Sequence, residues 1–195
     1  ISDNITYSRD QTTLKASGNV VVQFEDYKLT TPELTYDKRA KTLIAKKPIE
    51  LQNKDKFKFL ATTAEISDDF KNIIASHASA LIEKKFYVRS KKIHKIESGK
   101  LIFYSSVGTA CQVCPSSPIP MWQIKSEKIL HDHNSQRLYF SNASMELLGF
   151  PVFYTPYLRI PEPGIKRATE LLTPKILTSD LLGVGVKQPF YFVID

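Results

Sequence analysis

The residues that could do chemistry are few and widely spaced. Cys111-Gln112-Val113-Cys114 holds both cysteines of the chain. A C-x-x-C pair is redox-active where it opens a helix after a strand, and it can supply half of a zinc site. Here Pro115, Pro118 and Pro120 follow in place of a helix, and no second pair completes a four-thiolate site. The better reading is a loop in an oxidising compartment. Cys111 and Cys114 are then disulfide candidates, joined to each other or to cysteines outside this chain. His131-Asp132-His133 puts two imidazoles on one side of a strand, and such a pair can bind a metal. A third ligand is not visible, so a polar turn at a strand end is the favoured reading and no metal site is assigned. Gly183-Val184-Gly185 lacks the third glycine and the helix of a dinucleotide fingerprint. No nucleophile-elbow pattern surrounds any serine. The chain reads as a non-enzyme with no cofactor. Lys84, Lys85, Arg89, Lys91, Lys92 and Lys95 form a basic run. A solvated face is the ordinary explanation, and Phe86 with Tyr87 is a small platform for stacking nucleic-acid bases. Headgroup phosphate or an acidic partner edge are the other readings.

The elements that must position these residues are strands. The chain has 195 residues, 42% of them hydrophobic and 24% charged, an ordinary globular balance that argues against wholesale disorder. No apolar window is long enough for a transmembrane helix. The start at Ile1 reads as a processed end, and the stop at Asp195 as a cut through a strand. Net charge is +7, and residues 1–100 carry most of it, with 19 Lys and Arg against 13 Asp and Glu. Nine of the eleven prolines fall at or after Pro115, which divides the chain into two regions.

Alternation with a period near two runs through Val20-Val21-Val22-Gln23-Phe24, Lys56-Phe57-Lys58-Phe59, Lys85-Phe86-Tyr87-Val88-Arg89 and Gln136-Arg137-Leu138-Tyr139-Phe140. Polar turns separate these runs. Tyr7–Ala16, Tyr36–Ala45, Ile66–Ala75 and Ile96–Ser105 share one layout: an apolar residue, a charged turn, an apolar pair and a small residue. The small residues recur at 16, 45, 75 and 105, and a longer fifth copy ends at Ser141. A period of this size marks a repeat array in which each unit, here about one hairpin, buries its face by stacking on neighbours. Breaks such as Ser17-Gly18-Asn19 and Lys46-Lys47-Pro48 recur at one level and predict a bend in every strand. The expected fold is all-β, a V-shaped or jelly-roll hairpin ladder with an apolar interior. Val20, Val22, Phe24, Leu29, Leu34, Leu43, Ile49, Leu51, Phe57, Phe59, Ile82, Phe86, Val88, Leu101, Phe103 and Leu147 are its expected lining. Gln23, Glu25, Lys28, Lys56, Lys58, Lys85 and Arg89 are expected on the outside. By pattern alone the favoured reading of the apolar face is the core of a closed β-sandwich.

The repeat containing LKASGNVVVQFEDYKLTTPELTYD resembles the OstA-like, or β-taco, repeat of lipopolysaccharide-transport proteins. The segments MELLGFPVFYTPYLRIPEP, KRATELLTPKI and LGVGVKQPFYF resemble the junction of the LptD family of outer-membrane lipopolysaccharide-assembly proteins, where a periplasmic jelly-roll meets a transmembrane β-barrel. The resemblance implies a periplasmic domain over 1–148, a proline-rich connector over 149–182 and a truncated first barrel strand over 183–195. It implies a lipid conduit at the cell outer membrane, mostly in the periplasm. Lipopolysaccharide would arrive from a periplasmic bridge subunit docked on an edge formed by residues 5–16, and a plug lipoprotein would fill the barrel of the full-length protein. Nucleic acid is not among the implied partners. Pro189 takes the place of a proline that weakens the lateral gate, and the family joins its periplasmic and barrel parts by disulfides. The alternatives are a soluble bridge subunit of the same fold and a closed β-sandwich module for anionic glycan.

Overall fold

The computed structural model describes residues 1–53, 57–83, 85–96, 98–111, 120–162, 170–171, 175–179, 183–187 and 190–191. Among these residues there is no helix, and none long and apolar enough to cross a membrane. Eleven strands form one antiparallel sheet in strict chain order. They are β1 (Asn4–Tyr7), β2 (Thr13–Phe24), β3 (Tyr27–Asp37), β4 (Thr42–Asn53), β5 (Phe57–Ser67), β6 (Ile73–Ile82), β7 (Phe86–Lys95), β8 (Leu101–Thr109), β9 (Trp122–Asp132), β10 (Arg137–Leu147) and β11 (Phe150–Pro161). Each strand pairs only with its chain neighbours, as a hairpin ladder requires.

The ladder is broken near the middle of its strands. Register shifts fall between Ser17 and Val20, Thr30 and Glu33, and Lys46 and Ile49. Four strands pass this level through a residue with a left-handed backbone: Asn19 in β2, His77 in β6, Ser105 in β8 and Asn142 in β10. These breaks fold the sheet along a crease into two walls. Phe86 on β7 and Phe140 on β10 show the closure. Three strand spacings along a flat sheet amount to about 14 Å, yet the two rings lie 6.5 Å apart, edge to face. They meet across the fold.

The interior so enclosed is one apolar cluster drawing on β2 to β10, with Phe59, Phe86, Phe103 and Phe140 fully buried. Gly108 on β8 makes room for Phe86: a Cβ there would stand 2.6 Å from the ring. The lips of the two walls also touch. Phe70, in the turn between β5 and β6, is buried and stacks at 5.4 Å on Phe24 and at 5.6 Å on Tyr27. Lys95 Nζ donates to the carbonyls of Phe70 and Lys71 and lies over the Tyr27 ring. Lys95 is therefore inside and leaves the exposed basic run, of which Lys85, Arg89, Lys91 and Lys92 remain on the surface.

The sheet does not stop at residue 148. Phe150–Pro161 is its eleventh strand, so the connector expected over 149–182 loses its first third to the domain. Proline density suggested a linker there. Pro151 and Pro156 are compatible with an edge strand, where a residue whose nitrogen faces away from the neighbour has no ladder bond to give. Beyond it, β12 (Glu170–Leu171) pairs with β15 (Phe190–Tyr191), and β13 (Lys175–Ser179) pairs with β14 (Gly183–Lys187).

Candidate functional site

Alternation along a strand sends successive side chains to opposite faces, and the crease turns one face inward. Of the expected lining, Val20, Leu29, Leu34, Leu43, Ile49, Leu51, Phe59, Ile82, Phe86, Val88, Leu101 and Phe103 are buried in one cluster. Val22, Phe24 and Leu147 are half-buried and pack against it. Gln23, Glu25, Lys28, Lys58, Lys85 and Arg89 are on the outside and exposed. The side chain of Phe57, together with Lys56, Cys114 and Pro189, lies outside the described residues; Cys111 is half-buried against the interior cluster. Trp122, Ile124, Ile129, Leu138 and Phe140 belong to the same cluster. The alternation of β9 and β10 carried that signal, whereas Phe70 sits in a turn and has none.

At the C-terminal end the inward face extends past the part that the described residues cover. Phe150 lies opposite Leu147 and Phe153 opposite Met145, and directly opposed residues share a face. Leu147 and Met145 pack on the interior cluster, so that face continues onto β11, where Phe150 and Phe153 are 73% and 57% exposed. Val152, Tyr154 and Tyr157 add further exposed apolar surface to the strand. At the other end, among the described residues, β1 pairs with β2 alone and its outer edge has no strand partner.

The crease has its own polar chemistry. Thr31 Oγ1 donates to the Lys46 carbonyl, Thr62 Oγ1 to that of Ser76, Ser90 Oγ to that of Tyr104 and Ser126 Oγ to that of Ser141. In three of these the acceptor directly precedes the left-handed residue of the next strand: His77, Ser105 or Asn142. Where the bend breaks the ladder, a hydroxyl takes over a carbonyl that would otherwise be buried without a partner. This set recurs every 28 to 36 residues, and a search for hydroxyls at the repeat period would have found it.

One polar corner lies at the end of β9. His131 faces inward between Leu101 and Leu138. Its Nε2 is 2.6 Å from Glu162 Oε1, and both residues are buried. His133 Nδ1 is 3.6 Å from the same oxygen. Glu162 is placed by its backbone N–H, which donates to the Gln136 carbonyl. Burial pushes the Glu162 carboxyl up, but the hydrogen bond to His131 and the charges of His131 and His133 outweigh it and hold the group below the usual range. The sequence showed two imidazoles and no third group; Glu162 is 29 residues on from His133 and arrives only through the β10–β11 hairpin.

With this geometry in place, relatives can be compared. No family model matches the chain. The chain is 26% identical over 179 residues, 91% of its length, to the LPS-assembly protein LptD of Pseudoalteromonas translucida. It is 24% identical over 185 residues to that of Nitrosococcus oceani. The chain is similar to the LptD proteins. It spans 23% of the length of these two LptD relatives. To LptD of Photobacterium profundum it is 30% identical over 105 residues, 54% of this chain and 13% of that one. Among solved structures it has a likeness to LptH, described as the LptA-homologous periplasmic component of the lipopolysaccharide transport device of Pseudomonas aeruginosa. The TM-score is 0.42 at 20% identity, over 48% of this chain and 71% of that one.

Proposed function

We propose that the bent sheet shields the acyl chains of lipopolysaccharide and passes them toward a barrel at the outer membrane, without catalysing a reaction. The observation that carries this reading is the apolar interior face that runs strand by strand from β2 to β10 and emerges uncovered on β11. Exposing a methylene to water costs about 0.8 kcal/mol, so a chain of a dozen carbons costs on the order of 10 kcal/mol. Passage through an aqueous compartment therefore needs a continuous apolar lining. Phe59, Phe86 and Phe103 fill the interior, so the walls part when a chain enters, and the crease is where the ladder already yields. Similarity to LptD proteins supports the substrate class and the outer-membrane setting. In this reading the domain stands in the periplasm and the free edge of β1 receives a bridge subunit. The segment beyond β11 leads to a barrel that a lipoprotein plugs, with Pro189 at its seam.

Photo-crosslinkers at Val22, Phe59 and Val88, placed in the full-length protein during transport, should capture lipopolysaccharide, and those at Gln23, Lys58 and Arg89 should not. Equal labelling of the two faces would sink the assignment of the interior. The fully packed core favours a second reading, a closed β-sandwich module, and absence of labelling on either face would favour it.

A further inference from the structure

We propose that His131, His133 and Glu162 form a binding site for a divalent ion of borderline softness, with Zn²⁺ as the fitting probe. The three side chains each offer one ligand atom, and these atoms lie within 4.8 Å of one another. A histidine–carboxylate hydrogen bond accounts for His131 and Glu162 alone. It leaves unexplained a second imidazole whose Nδ1 stands 3.6 Å from the same carboxylate oxygen.

Two imidazoles and one carboxylate are a zinc ligand set, with the fourth position of the tetrahedron held by water. Bonds of about 2.0–2.1 Å put tetrahedral donors about 3.4 Å apart. The 3.6 Å pair already meets that spacing, the 2.6 Å pair must open by somewhat less than an ångström, and the two imidazole nitrogens, within 4.8 Å of each other, draw together as His133 turns on its solvent side. His131 is fixed by its place on β9 between two strands, and Glu162 by its backbone bond to Gln136. Half-buried His133 leaves a solvent-facing side through which an ion and its water can enter. Two nitrogen donors argue against Ca²⁺ and Mg²⁺, which take oxygen ligands. A bound ion would tie the residue that follows β11 to the β9–β10 turn, and so set the direction in which the chain leaves the sheet.

The test is calorimetric titration of the metal-free protein with Zn²⁺, paired with absorption spectra of its Co²⁺ adduct. One ion per chain should bind, and the thermal midpoint should rise with it. His133→Ala and Glu162→Gln should each weaken affinity by about tenfold or more. His133 is half-exposed, so its variant keeps the test open if His131→Ala fails to fold. A Cys111→Ser/Cys114→Ser double variant should bind as the parent does, and the Co²⁺ spectrum should show tetrahedral bands without thiolate charge transfer. Absence of binding at millimolar Zn²⁺, unchanged affinity in both His133→Ala and Glu162→Gln, or a thiolate band lost in the cysteine variant would each overturn the site.

Discussion

Ser90 shows what single residues contribute at the crease. Its single hydroxyl proton is shared between the carbonyls of Lys92 and Tyr104, and its oxygen accepts from the Lys92 N–H. Ser90→Ala leaves buried carbonyls unsatisfied at a cost of about 1–3 kcal/mol, read as a lower urea midpoint at unchanged slope. Burial and face of the neighbouring Val88 stay as they are, so lipid labelling at that position should persist in the folded fraction. Turns depend on a second kind of residue. Asp10 accepts from the Ser8 and Thr12 hydroxyls and the Thr12 N–H, and its carboxyl is lowered to about 2, the Ser8 bond being the largest cause. A lowered carboxyl stabilises the folded turn above the ordinary range of about 3.9. That contribution is lost as pH falls through about 2. A carboxyl-detected NMR titration should place Asp10 near that value, and Ser8→Ala should move it upward; an unmoved midpoint would show that the hydroxyl is not what holds it.

At the scale of elements, the walls stay closed because particular strands allow close approach. Gly108 on β8 lies beside Phe86, whose ring meets Phe140 across the fold. Gly108→Ala places a methyl 2.6 Å from the Phe86 ring carbon. Overpacking of this kind costs about 1–3 kcal/mol, so thermal unfolding should begin several degrees lower. Stability equal to the parent would mean that the walls open freely at β7 and β8. The first edge is the other informative element. Residues Thr12 and Leu14 lie in the β1–β2 turn and in β2, and Leu14 is paired on both sides, with Tyr7 and with Tyr36. The free edge belongs to β1, Asn4–Tyr7, which the backbone bonds of Asp3 to Gly18 and of Ile1 to Val21 prolong toward the chain start. That corrects an edge drawn over 5–16.

For the whole molecule, open edges matter most, because an unpaired strand recruits another. Successive N–H groups of a strand point to opposite sides, so one of Ile5 and Thr6 directs its N–H away from β2. Proline at that position removes a donor from the free edge only. One of Ile5→Pro and Thr6→Pro should weaken association with a periplasmic bridge subunit while leaving the melting curve of the domain alone. Equal binding by both variants would move the docking surface to another part of the molecule. At the opposite end β11 presents an exposed aromatic surface, with Phe150 and Phe153 in line with the interior.

Strand content, turn positions, the inward phase of Val20, Leu29, Leu51, Phe59, Phe86 and Phe103, and the repeat of about 30 residues were all set by the sequence itself. Alternation and turn chemistry are local, and a residue's neighbours two positions away reveal its face. The crease was legible as a recurring break. Other features depended on contacts between residues far apart in the chain. Phe70 reaches across the lips to Phe24 and Tyr27 from a turn that reads as polar. Lys95 looks like a surface charge and is buried because Phe70 and Lys71 offer it carbonyls. Phe150–Pro161 reads as a linker and is a strand because β10 gives it a partner, while among the described residues no strand pairs with its other side. Glu162 joins His131 and His133 only once that hairpin has closed. Folding over the crease brings such groups together, and periodicity along one strand carries no record of what the opposite wall presents.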